Sequence, residues 1–134
     1  MEYTRDEIID IVEKARLDSD DTYLPIIEKF NKKFIDEFAI SLKEDEGFSQ
    51  NTINNYVDSM DLFLNGFLTH RYVNNVFTGY EDANILLEDF MNYTYMGAKK
   101  YEDILRALRK FYVFMFEKGY IDPEEYQLAK LSLE

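Results

Sequence analysis

The chain has 134 residues, room for one domain of ordinary size, and is 46% hydrophobic and 16% aromatic with only five Gly and two Pro, which excludes a disordered chain. It carries 27 acids against 15 Lys and Arg, a net charge of −12, which repels a phosphate backbone at long range and disfavours indiscriminate nucleic-acid binding. Cysteine is missing, which removes disulfides, thiolate nucleophiles and thiolate metal sites.

Apolar residues recur at helical spacing almost throughout. Thr4 and Glu7 form a capping-box pattern ahead of Ile8, Ile11, Val12 and Ala15, which predicts a first helix fading near Leu17. The polar run Asp18 to Thr22 then supplies turn and N-cap residues. A second helix is predicted with Tyr23, Ile27, Phe30, Phe34, Phe38 and Leu42 on one side. Pro25 falls in its first turn, where the missing N–H has no intrahelical partner to lose. Lys43 to Gly47 ends that helix and forms the expected seam between an N-terminal extension, residues 1–47, and the rest, residues 48–134, within one helical domain.

Beyond the seam Ser49 reads as an N-cap, with Phe48 and Ile53 spaced as a hydrophobic staple. A stripe follows through Tyr56, Val57, Met60, Phe63, Leu64, Phe67 and Leu68. From His70 to Gly79 the period breaks, which predicts a connection with room for a short turn of helix, and Ala83, Leu86, Leu87 and Phe90 mark a shorter helix ending near Tyr93. The longest clear period runs from Tyr101 through Ile104, Leu105, Leu108, Phe111, Tyr112 and Met115, with Gly119 placed to close the helix. Phe111 to Phe116 is also an apolar run of strand length, but the upstream period and the Gly stop favour helix. Asp122, Pro123 and Glu125 open a last helix as N-cap, first position and third position. The expected fold is all-α, a compact bundle of about six helices.

Signals for targeting and membranes are weak. The start lacks the basic and apolar stretches of a secretory leader, and the longest unbroken apolar run, Phe111 to Phe116, is far short of the ~20 residues of a membrane span. A cytoplasmic location and no membrane partner are expected.

Site motifs are equally sparse. Asp18, Asp20 and Thr22 alternate as in a calcium loop, but Tyr23 stands where the turn Gly belongs and Lys29 where the bidentate Glu is needed. They read as a capped turn, and Glu44, Asp45 and Glu46 as a solvated helix exit. His70 is the only histidine and has no nitrogen or sulfur ligands to share a zinc ion with. The five glycines stand apart, so no phosphate-cradling loop exists. No enzyme activity, metal, cofactor or small-molecule substrate is expected.

Two features invite a partner. Between residues 97 and 121 six bases (Lys99, Lys100, Arg106, Arg109, Lys110 and Lys118) face three acids (Glu102, Asp103 and Glu117). The helix bearing them is able to meet an anion even on an acidic chain, or is simply the wet side of an amphipathic helix. Between the predicted helices lie Tyr72, Asn74, Asn75, Phe77, Tyr80, Asn92, Tyr93 and Tyr95, a composition suited to packing over the core or to a protein interface.

Two blocks carry a family resemblance. Phe48-Ser49-Gln50-Asn51-Thr52-Ile53-Asn54-Asn55-Tyr56, continuing through Met60, Phe63 and Phe67, is similar to a Ser-x-x-Thr-x-x-x-Tyr opening followed by an apolar stripe. Ile104-Leu105-Arg106-Ala107-Leu108-Arg109-Lys110-Phe111-Tyr112-Val113-Phe114-Met115, then Gly119, Ile121 and Pro123, is similar to a Leu-Ser-Ala-Leu-Arg-x-Phe-Tyr helix and its exit. Together they make residues 48–123 resemble the N-terminal core-binding (SAM-like) domain of tyrosine recombinases, the phage-integrase family. The resemblance implies a small helical module that grips one face of target DNA while a separate domain cleaves it. That family's catalytic Arg, His-x-x-Arg and Tyr set has no counterpart: Val73 stands three residues after His70. Asp103 stands where the family often has a base, and Arg106 replaces a small Ser.

The leading expectation is therefore a non-catalytic module for DNA recombination or integration, binding double-stranded DNA through Lys99, Lys100, Arg106, Arg109 and Lys110. The alternative is an acidic protein-interaction module that keeps the fold and has lost DNA binding. The first 47 residues, seven bases against fourteen acids, either cap the module or cover its DNA face.

Overall fold

Six α-helices account for most of the chain in the computed structural model, which describes residues 3–18, 21–72, 77, 83–94 and 97–133. Side chains at 21, 67, 68, 70–72, 83–86, 93, 94 and 98 fall outside that description. In chain order the helices are α1 (Arg5–Asp18), α2 (Leu24–Glu44), α3 (Gln50–Asp61), α4 (Ala83–Thr94), α5 (Ala98–Glu117) and α6 (Pro123–Ser132). A 3₁₀ turn, Asp21–Tyr23, leads into α2, and a π-helical segment, Leu62–Tyr72, prolongs α3. There is no strand among the described residues, and the Phe111–Phe116 run is helix. No described helix is long and apolar enough to cross a membrane.

Local chemistry explains the ends. The Thr4 amide donates to Glu7 Oε1 (3.1 Å) and the Glu7 amide to Thr4 Oγ1 (3.2 Å), a complete capping box at the start of α1. Ser49 Oγ accepts from the Thr52 amide at the head of α3. Asp122 and Glu125 form a second reciprocal box around Pro123 at the head of α6. At the exit of α5, Gly119 takes φ +78°, which a side chain adopts only under strain. There the Tyr120 amide reaches the Met115 carbonyl (2.9 Å) and the Gly119 amide the Phe116 carbonyl (3.0 Å), the Schellman arrangement.

The helices share one apolar core. α2 packs against α1, α3, the π segment and α5; α5 packs against α3, α4 and α6. Phe38, Phe63, Phe90 and Phe111 are all fully buried. Phe38 meets Phe111 edge-on at 5.3 Å between ring centroids, and Phe63 meets Phe90 at 5.8 Å. Ile8 and Val12 of α1 belong to the same core as Leu108 of α5 and Ala129 of α6, so residues 1–47 are packed into the bundle rather than appended to it. Arg5 fastens that union at the surface. Its guanidinium pairs with Glu125, donates to the Tyr120 carbonyl and stands 4.5 Å over the Phe77 ring.

The helix containing Phe63 continues further than its periodicity predicts. The Asn31 amide of α2, itself buried, donates to Asn65 Oδ1 (2.9 Å) and Thr69 Oγ1 (3.1 Å). The Thr69 hydroxyl in turn donates to the Leu64 carbonyl (2.9 Å), five residues earlier, which is the spacing of π-helical backbone. Widening the helix keeps Leu64 and Thr69 both facing the core. Of the aromatic and amide residues between helices, only the side chains of Phe77 and Asn92 lie among those described, and Phe77 is buried. The side chain of His70 and residue Asp20 lie outside them.

Candidate nucleic-acid interface

The basic residues of α5 face α3. The Ser49 cap aims α3 so that Ile53 and Met60 enter the core, and the complementary stripe Thr52, Asn55 and Ser59 turns toward the first half of α5. Lys99, Lys100 and Arg106 form the opposite wall of an open cleft of about 440 Å³, with Tyr56, Asp58 and Asp103 completing it. A second hollow of about 540 Å³ adjoins it, sharing Tyr56 and Arg106 and adding Glu102, Arg109, Lys110 and Val113. The two make one groove along α5 that all five sequence-predicted cations border.

The first turn of α5 carries bases where acids are the usual choice. A helix N-terminus carries partial positive charge and is stabilised by acidic residues or by a capping side chain. Here Gly97 is the N-cap, no side chain caps it, and the first turn holds no acid but instead Lys99 and Lys100. Arg106, one turn and more along, is exposed and has Asp103 as its neighbour at 3.8 Å, a surface pair of small energetic worth. Three cations thus outnumber the two acids, Asp58 and Asp103, at this end of the groove, opposite the exposed Thr52 and Asn55, whose hydroxyl and amide suit phosphate oxygens.

The other two cations are already engaged. Arg109 Nε donates to the Leu133 carbonyl (2.6 Å), holding the end of α6 against α5. Lys110 Nζ pairs with Glu46, from the loop between α2 and α3, and lies 5.2 Å over the Phe48 ring. The five cations are thus collected in one place, but only Lys99, Lys100 and Arg106 stand clear of a tertiary anchor among the described contacts. Sequence reading missed the α3 wall. Its signal was present in the polar spacing of Thr52, Asn55 and Ser59, three and four residues apart on the face left over by the apolar stripe.

Elsewhere the surface offers two smaller hollows. One of about 240 Å³ is lined by Glu37, Ile40, Ser41, Glu44, Asp45, Phe114, Lys118 and Tyr120. There the Tyr120 hydroxyl donates to Glu37 Oε2 (2.7 Å), and this bond, with burial and the carboxylate charge, raises the phenol above its ordinary pKa of 10.0. The other, about 280 Å³ and mainly apolar, lies between α5 and α6 at Tyr112, Val113, Tyr126, Ala129 and Leu133, rimmed by Arg109 and Lys130. Comparison of the chain with protein-family models, curated proteins and solved structures finds no match to any of them.

Proposed function

We propose that this chain is a non-catalytic DNA-gripping module that holds the backbone of double-stranded DNA in the groove between α3 and α5. This is the role that the resemblance of residues 48–123 to recombinase core-binding domains implies, in DNA recombination or integration within the cytoplasm, with strand cleavage left to another protein or domain. One observation supports it above the rest: the first turn of α5 holds Lys99 and Lys100 and no acid, and with Arg106 beyond it opens on a polar cleft in a chain of net charge −12. Concentrating cations where the helix dipole disfavours them costs stability, and an anionic ligand offsets that cost. In this reading the cations of the groove position DNA by its phosphates, and the chemistry on the strand is done elsewhere.

The test is a charge reversal read by fluorescence anisotropy on a labelled duplex. Lys99→Glu with Arg106→Glu is expected to weaken binding at least about tenfold at 50 mM salt, since two phosphate contacts become repulsions. The melting temperature should not fall, because both side chains are exposed and an acid at position 99 suits the helix N-terminus. Lys14→Glu with Lys29→Glu, two exposed reversals on α1 and α2 that change the net charge by the same amount away from the groove, is the control. Equal binding by the double variant and the parent would refute the groove assignment. Arg109→Glu is not a clean test, because it also releases the Leu133 carbonyl.

A second reading is a protein-interaction module that keeps the fold without DNA binding. It draws on the apolar hollow between α5 and α6 and on Leu128 and Leu131, which α6 exposes at 39% and 62%. A specific protein partner combined with no duplex binding at low salt would establish it instead.

A further inference from the structure

We infer that the loop between α2 and α3 carries an internal competitor for DNA, with the Glu46 carboxylate holding Lys110 in the parent chain and so denying it to a backbone phosphate. This rests on the DNA reading of the groove and concerns how many cations it brings to bear.

The loop delivers Glu46 to that place by construction. Gly47 takes φ +66° and reverses the chain immediately after it. The Phe48 amide then donates to the Leu42 carbonyl (3.1 Å), closing the end of α2, and Ser49 caps α3. Glu46 is thus held between two fixed helix ends. Phe48 stacks on Tyr56 with ring centroids 5.9 Å apart, and Tyr56 borders both halves of the groove. The Lys110 ammonium lies over the Phe48 ring and meets Glu46 there.

The pair is suited to exchange. Its side chains remain 28% and 36% exposed, so water and salt screen it and it contributes little to folding. A phosphate from bound DNA offers Lys110 an equivalent anion. Lys99 and Lys110 are eleven residues apart on one helix, about 16 Å along its axis. That spans about five phosphate steps of a strand lying alongside. Releasing Glu46 therefore lengthens the contact at the end remote from the head of α5. The neighbouring acids do not share this position. Glu44 and Asp45 line the separate hollow with Glu37 and Tyr120, and Asp45 accepts from the Ser41 hydroxyl (3.0 Å).

The experiment is a salt titration of duplex binding by the parent, Glu46→Gln, Glu44→Gln, Lys110→Gln and the Glu46→Gln/Lys110→Gln double variant, with melting curves to confirm folding. Glu46→Gln should bind several-fold tighter at low salt, and its slope of log affinity against log salt should steepen by about 0.9, one added phosphate. Glu44→Gln removes the same charge two residues earlier, at the end of α2, and should leave the slope unchanged. Lys110→Gln should erase the gain in the double variant. An unchanged slope for Glu46→Gln, an equal steepening for Glu44→Gln, or a gain that survives Lys110→Gln would overturn the inference while leaving the groove assignment standing. Absence of duplex binding by the parent and every variant would overturn both.

Discussion

Phe111→Ala tests the packing that brings α3 and α5 together. Phe111 is fully buried, meets Phe38 of α2 edge-on, and has the Tyr112 ring at 5.7 Å. Truncating a buried Phe to Ala costs about 3–5 kcal/mol through lost transfer energy and the cavity left behind. The edge contact with Phe38 adds about 0.5–1.5 kcal/mol that Ala cannot recover, which places this site in the upper part of that range. For a chain of 134 residues each kcal/mol lowers the melting temperature by about 3–5 °C, so a fall of roughly 10–20 °C is expected. In urea the midpoint should drop by about 2 M at an unchanged m-value. Val113→Ala, two residues away and 36% exposed, should cost less than about 1 kcal/mol. A loss below about 1 kcal/mol for Phe111→Ala, or equal losses at the two positions, would show that the buried face of α5 is wrongly assigned.

Three other changes probe separate parts of the fold. Asn31→Ala leaves Asn65 Oδ1 without its buried donor and should cost about 1–3 kcal/mol, with hydrogen exchange of residues 62–72 accelerated more than that of α2; uniform acceleration would argue against a local role in the π segment. The Tyr120 phenol has a raised pKa in the folded state, so its bond to Glu37 contributes fully below the unfolded value near 10 and is lost as pH rises through the folded value. The stability advantage of the parent over Tyr120→Phe should therefore hold steady up to about pH 10 and shrink above it; an advantage that grows with alkalinity would contradict the assignment. Gly119→Ala meets open space but must adopt φ +78°, so chemical denaturation should show a loss of about 1 kcal/mol, and no loss would mean that the Schellman turn had relaxed.

What was legible in the sequence was local. The Thr4–Glu7 and Asp122–Glu125 boxes, the Ser49 cap and the Gly119 exit are each made within a few residues, so residue type and spacing specify them. The apolar run from Phe111 to Phe116 was decided by context: Val113 faces outward while Phe111, Tyr112, Phe114 and Met115 are buried, a helical pattern that no strand produces. The stripe through Leu68 marks the prolonged helix, but its end at Tyr72 and its π geometry are not legible, because the segment is held by Asn31, 34 residues from Asn65, and hydrophobic periodicity does not report such a bond. At the candidate site, local charge counting found the cations of α5. It could not show that Glu46 meets Lys110 across 64 residues, or that Arg109 holds Leu133. Those contacts depend on how α2, α3 and α6 pack around α5.

The number of phosphates the parent chain neutralises is the most direct measure of this account. With Lys99, Lys100 and Arg106 engaged, log affinity for a labelled duplex should fall against log salt with a slope of about −2.7, a loss of roughly 40-fold between 50 and 200 mM. A duplex that fails to bind at 50 mM, or binding whose affinity does not change with salt, would mean that the groove between α3 and α5 does not hold DNA.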